Sequence, residues 1–328
     1  MFRAARRALP IFRNHQESTM AFANGSERRT AYVAETAFGV TPATPSFKLL
    51  RITGGSLRSS KGTVVSDEIQ ADRNIRDELM VSKDVTGSYD FELSGDTFDD
   101  FIAASLRGAW ATNVLKNGVL RPSFTVEETL NFGGTSSFSR FRGVAVNSMS
   151  LSLPSRQKVT GSFALMGAEE ALDSVIVTGA TYAAAATTQP ATASANVGTL
   201  SVGGTTTPFR VKSLSLEIGN ELRIRDAVGT LTSAEFGAGR CNVTGTVECY
   251  FEGNDQYQAV LDHGAGAISF TVGVEANKKY TFLIPKARFL DGARNPGGNT
   301  DDAMLSIPFR GVFDPTTQAS IQITRLVA

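Results

Sequence analysis

Val85-Thr86-Gly87-Ser88-Tyr89-Asp90-Phe91-Glu92-Leu93 decides how the rest of the chain is read, because it alternates. Val85, Tyr89, Phe91 and Leu93 are apolar, whereas Thr86, Ser88, Asp90 and Glu92 are polar. Successive side chains of a strand point to opposite faces, so the pattern predicts a half-buried antiparallel strand with one greasy face and one acidic, hydroxyl-bearing face. After Ser94-Gly95-Asp96 the period changes. Phe98, Phe101, Ile102 and Ser105 fall at helical spacing, which predicts a helix over 97–108. Asp96, Asp99 and Asp100 stand in its first turn, where carboxylates suit the positive end of the helix dipole and read as caps.

A second stretch repeats the unit. Val243, Val247, Cys249 and Phe251 alternate with Thr244, Thr246, Glu248 and Glu252, and Tyr257, Val260 and Leu261 form the shorter helical counterpart. The copies align without a gap at an offset of 158 residues, Val85 to Val243, which also brings Gly87 onto Gly245, Gly95 onto Gly253 and Gly108 onto Gly266. A register held through strand, turn and helix predicts a duplicated domain. The next match, Ser123-Phe124-Thr125-Val126 against Ser269-Phe270-Thr271-Val272, lies at an offset of 146 residues, so 110–118 reads as an insertion in the first copy.

The expected fold is mainly β: two tandem homologous β-sandwich or barrel domains, each with one flanking α-helix. Residues 1–19 carry Arg3, Arg6, Arg7 and Arg13 with few acids and read as a translated leader, with a presequence or membrane-touching arm as the alternative. An extended arm follows over 20–45, then a first domain over 46–167. Residues 168–197 are small and polar, an Ala/Thr-rich linker with too few large apolar side chains for a core. The second domain takes 198–328 and opens on a hairpin turning at Gly203-Gly204. Inside the first domain, 59–81 is charged and long for a hairpin connection. With Asp67, Glu68, Asp72, Arg73, Arg76, Asp77 and Glu78 it is either a solvated excursion or an arm that docks on a neighbouring subunit.

Composition removes several functions. Lys and Arg total 32 and Asp and Glu total 32, a balance that disfavours tight binding to nucleic acid through phosphates. There is no long apolar run, so no membrane span is expected. Cys241 and Cys249 are the only cysteines, about 27 Å apart if both lie on one strand, and cannot bridge each other. Buried free thiols fit assembly in a reducing cytoplasm. His15 and His263 are too few for a histidine-built metal site. Dinucleotide, P-loop, HExxH, CxxC and EF-hand patterns are missing, and Glu127-Glu128 and Glu169-Glu170 read as ordinary surface pairs. No catalytic, cofactor-binding or metal-binding residue is expected, and the chain does not read as an enzyme.

The run AYVAETAFGVTPATPSFKLLRITGGSL, the charged SDEIQADRNIRD and VTGSYDFELSGDTFDDFIAASLRGAW resemble the N-terminal half of the tail tube proteins of long-tailed, siphovirus-type phages, in the family with two tube domains per chain. TLSVGGTTTPFRVKSLSLEIGN is similar to that family's passage into its second domain. The resemblance implies a structural virion protein whose rings stack around a lumen for double-stranded DNA, without tight DNA binding. It implies assembly in the host cytoplasm, and the tape-measure and tail-end proteins as partners. Three chains would supply six domains in a trimeric ring of pseudo-sixfold symmetry; the alternative is a hexamer with the second domain outside. The polar faces, Thr86, Ser88, Asp90, Glu92, Thr244, Thr246, Glu248 and Glu252, are then candidates for the lumen. The charged loop and the arm are candidates for contacts between subunits or rings. A β-sandwich adhesin, or a carbohydrate-binding or decorating module, is the alternative function, against which Trp110 stands as the sole tryptophan.

Overall fold

In the computed structural model, which describes residues 22–197, 201–202 and 210–327, the alternating stretch is the inner half of a long strand. The leader and most of the hairpin expected to open the second domain lie outside the described residues. The first part of the chain runs β1 (Arg29–Ala34), β2 (Ser46–Leu49), β3 (Gly54–Val65), β4 (Glu78–Glu92), α1 (Asp99–Ser105), β5 (Val114–Lys116), β6 (Phe124–Phe132), β7 (Thr135–Pro154), β8 (Thr160–Gly167), β9 (Glu169–Asp173) and β10 (Thr181–Ala183). The second part runs β11 (Ser201–Val202), β12 (Val211–Gly219), β13 (Arg223–Arg225), β14 (Glu235–Gly237), β15 (Asn242–Tyr250), α2 (Asn254–Leu261), β16 (Ala265–Val272), β17 (Lys279–Phe289), β18 (Ala293–Asn295), β19 (Met304–Gly311) and β20 (Gln322–Val327).

One antiparallel sheet crosses both parts in the order β3, β4, β8, the C-terminal half of β7, β12, β15, β19. The end of β17 and then β18 lie beyond β19. Two further ladders complete the packing, β2–β1–β6–β7–β9 and β11–β16–β17–β20–β5, so β7 and β17 each serve two layers. The pairing scheme recurs: β3–β4–β8–β7 matches β12–β15–β19–β17, and β1–β6–β7–β9 matches β11–β16–β17–β20. Buried side chains of both parts join in a single cluster.

Gly87 and Gly245 show why the repeat carries glycine there. A Cβ on Gly87 would run into the Ser56 carbonyl oxygen, and one on Gly245 into that of Ser215. Ser56 and Ser215 are equivalent, since Leu57 faces Gly87 and Leu216 faces Gly245. The later match is displaced, however. Bulges between Phe124 and Val126 and between Gly266 and Ile268 align Val126 with Ile268, an offset of 142 residues, so the shared SFTV tetrapeptides are not in equivalent places.

Helix α1 buries Phe101 and Ile102 completely. Phe101 stacks on Phe124 of β6 at 5.0 Å and lies 5.3 Å from Phe163 of β8, so the helix ties two layers together. Its acids are not caps: no side chain caps the N-terminus. Asp99 accepts from Tyr280 Oη at 2.6 Å and Arg325 Nη1 at 2.5 Å, both in the second part, and Asp100 accepts from Tyr32 Oη at 3.0 Å and Lys48 Nζ at 2.6 Å. Burial, followed by Asp99, pushes the Tyr280 phenol well above its ordinary range, so it stays a donor.

The insertion after α1 is a clamp. Its strand β5 adds to β20 of the second part, Asn117 Oδ1 accepts from the Ser320 and Ile321 amides, and the Arg325 guanidinium sits 4.6 Å from the centre of the Trp110 ring. The Ala/Thr-rich stretch, expected to take no part in a core, is built in: β9 pairs with β7, β10 runs parallel to β2, and Ala191 is buried. The loop expected over 59–81 is shorter, because β3 and β4 stay paired out to Val65 and Glu78 and leave only 66–77 as the connection between them. The arm contributes β1, paired to β2 and β6 within the chain. Cys249 is buried and Cys241 half-buried; both thiols are free.

Candidate functional site

Residues facing each other across an antiparallel ladder share a side of the sheet, so register alone builds the site. Asp90, Ser162, Ser150, Glu217 and Thr244 stand opposite one another in turn, from β4 through β8, β7 and β12 to β15. The next row is Glu92, Thr160, Ser152, Ser215 and Thr246. Ser88 and Thr86 belong to the rows on the other flank, and Glu248 faces Ser213 further out. Asp90, Ser150, Ser162, Glu217, Thr244 and Thr246 line one open concavity. On the opposite side of β4, Val85, Tyr89 and Phe91 are buried, as is Leu93 just past the strand.

Seven of the eight polar residues singled out in the sequence therefore meet on one face. Glu252 does not: it lies past the end of β15, pairs with Arg210 at 3.4 Å, and Tyr250 holds the place equivalent to Glu92. Sequence reasoning missed the serines of β7 and β12 and Glu217, which join the two halves of the face. Their signal was present, since Ser148, Ser150 and Ser152 alternate with apolar residues as Ser213, Ser215 and Glu217 do. The face also carries cations. Arg310 faces Thr244 and Arg288 faces Arg310 at one end of the central row, Arg58 lies on β3 at the opposite edge, and Lys158 Nζ binds Glu92 at 2.6 Å.

The seven charged loop residues cluster at the tip of the β3–β4 hairpin, all exposed. Asp72 pairs with Arg76 at 2.8 Å, and Glu78 accepts from the Thr63 hydroxyl at 2.6 Å. Hydrogen bonds from Asn74, ahead of the one from Arg76, hold the Asp72 carboxyl below its ordinary value. The same hairpin exposes Val64, Val65, Ile69, Ile75, Leu79 and Val81.

Glu127-Glu128 is not a surface pair. Glu127 is fully buried and bonded by Arg140 Nε at 2.8 Å, Arg29 Nη2 at 3.3 Å and Tyr182 Oη at 2.6 Å, so it knots β1, β6, β7 and β10. Burial, then the bond to Glu127, raises the Tyr182 phenol to about 12. Glu128 accepts from Tyr89 Oη at 2.6 Å and from the Leu57 amide at 3.1 Å. Among the described residues no three potential metal ligands come together, and no helix is long and apolar enough to cross a membrane. A family model described as phage tail tube protein matches residues 25–311. Curated proteins yield no significant match.

Proposed function

We propose, from the premise that the chain belongs to the phage tail tube protein family and is a structural protein of the virion tail, that its polar sheet face lines the bore of a hollow tube for double-stranded DNA. The supporting observation is the β7–β12 ladder, which continues the sheet of the first part into the second with the polar rows unbroken. Each part is then one tube domain, over 46–167 and 198–328, with the arm at 20–45 before them and 168–197 between. At the two ends of the shared sheet, β3 has β4 as its only partner strand and β18 has β19 among the described residues. Repeating the β7–β12 junction between copies sets β3 of one chain beside β18 of the next, with Arg58 opposite Ala293. A head-to-tail contact of this kind closes into a ring.

Three copies with two domains each make a trimeric ring with pseudo-sixfold symmetry. A hexamer with the second domain outside would have to remove that domain from the sheet it shares with the first. The hydroxyl and acidic middle of each row offers phosphates no continuous basic track, which suits passage without tight binding. Arg58, Arg288 and Arg310 then fall at the seams between copies. The hairpin tip, Asp67 to Glu78, makes contacts between copies or successive rings, and the tape-measure and tail-end proteins are the partners met inside and at the ends of the tube. Free thiols at Cys241 and Cys249 agree with assembly in the host cytoplasm.

Electron microscopy of the purified chain tests this. Tubes whose cross-section holds three chains, with the Asp90–Thr244 row turned inward, are expected. Discrete monomers, or a bore lined by the other side of the sheet, would overturn it.

A further inference from the structure

Among the described residues the outer edge of β3 has no partner strand, yet it is not bare. The Leu57 N–H turns away from β4 and donates to Glu128 Oε1 at 3.1 Å, and the Gly55 carbonyl accepts from Arg28 Nη2 at 2.5 Å. The carboxylate is held from behind, because the same oxygen takes the Tyr89 hydroxyl at 2.6 Å. Two main-chain groups that an incoming strand would use are thus occupied by side chains of opposite charge from the same chain. An open edge left unguarded pairs with whatever strand it meets, and charged side chains over the edge are one way to prevent it.

The second part provides a comparison at equivalent positions. Leu57 corresponds to Leu216, which lies opposite Leu151 in the β12–β7 ladder. Glu128 corresponds to Phe270, which is buried and stacked on Phe282 at 5.0 Å. The carboxylate is present where the edge is open and replaced by a core phenylalanine where the edge is paired. The incoming strand can also be specified. Leu151 corresponds to Arg294 of β18, because Gly161 and Leu305, their partners on β8 and β19, are equivalent. Arg294 is exposed, rests over Tyr257 at 4.7 Å, and has no ion pair among the described residues.

We infer that Arg28 and Glu128 form a latch over β3 that a second copy opens with Arg294. This rests on the ring proposed above. As β18 of the neighbour arrives, Arg294 stands opposite Leu57 and takes the Glu128 carboxylate, which frees the Leu57 amide for the new ladder. Other strand ends bring no guanidinium to that point and meet a closed edge. The bond given up has one charged partner, whereas a guanidinium–carboxylate pair has two and forms parallel hydrogen bonds, so the exchange favours the correct partner.

The test follows assembly of the full chain by light scattering, with electron microscopy of the products. Glu128→Gln keeps an acceptor for Tyr89, and Arg28→Gln changes a position outside the core; thermal melting of each checks the fold. Each substitution should shorten the lag before growth by about tenfold, the size of one lost charged hydrogen bond, and leave tube diameter unchanged. Arg294→Gln should lengthen the lag in the native background and have no effect beside Glu128→Gln, the signature of direct coupling. Tubes forming with the native lag in all three variants would overturn the latch and leave the ring intact. Failure of the native chain and of every variant to form rings or tubes would overturn both.

Discussion

Two hairpins leave equivalent points of the sheet and meet different fates. One leaves β3 at Ser60 and returns to β4 at Asp84; the other leaves β12 at Gly219 and returns to β15 at Asn242. The first continues its ladder outward to Val65 and Glu78 and ends in an exposed tip. The second bends away, forms the small β13–β14 pair and lies down on the first part of the chain. There Phe236 is buried 5.5 Å from Phe38, Glu235 accepts from Arg121 Nη1 at 2.7 Å, Ser233 Oγ donates to Asp84 at 2.8 Å, and the Lys83 amide donates to Leu231 O at 2.7 Å. The hairpin beside an in-chain neighbour buries Phe236 against it, although Ile224, Val228 and Leu231 stay exposed; the one at the outer edge buries none of its large apolar residues and keeps Val64, Ile75 and Leu79 in water. The difference lies in whether the chain itself supplies a neighbour for the hairpin to rest on.

The comparison breaks most readily at Phe236. Phe236→Ala should cost about 3 kcal/mol in denaturant unfolding and open 220–241 to proteases. Ile75→Ala at the other tip, 74% exposed, should leave the isolated chain's melting unchanged. Equal effects of the two substitutions would mean that the hairpins are alike after all. Next in size come the paired glycines. Gly87→Ala and Gly245→Ala should each cost about 2 kcal/mol, because the new methyl group meets a backbone oxygen that cannot turn aside. Tolerance of one and not the other would show that the two strand pairs approach differently.

The smallest effect is electrostatic. Arg121, the largest influence, holds the Glu235 carboxyl below its ordinary 4.5. A carboxyl depressed in the folded chain stabilises it fully above the ordinary value and loses that contribution as pH falls through the depressed one. Acid below 4.5 should therefore loosen the docked hairpin, read as faster cleavage within 220–241. Asp72 is depressed too, but by Asn74 and Arg76 inside its own tip, so acid has no docked contact to release there. Arg121→Gln should remove the acid sensitivity of cleavage in the second hairpin.

Much of this was legible before the structure. Strand faces were, because a period of two survives in Val85 to Leu93 and Val243 to Phe251 whatever the surroundings, and the repeat's glycines follow from close strand approach. The polar face was read as two separate strips because the serines and Glu217 that join them depend on β7 meeting β12, a pairing set by tertiary packing. Glu127 looked like a surface acid for the same reason: Arg29, Arg140 and Tyr182 come from three distant segments. Charge density at the tip concealed the extension of β3 and β4, since Lys61, Lys83 and Glu78 interrupt the alternation that marks a strand. The acids of the first helical turn fit a capping pattern, but Tyr280, Arg325, Tyr32 and Lys48 claim them.

The exchange of β5 into the ladder of β20 has a thermodynamic corollary. A cut between the two parts would leave Asp99 without Tyr280 and Arg325, β20 with an orphaned edge, and the β7–β12 seam open to water. Neither fragment keeps what it needs, so loss of one should pull down the other in a single cooperative melting transition rather than two. Although the pairing scheme of the first part recurs in the second, the two should therefore behave as one unit.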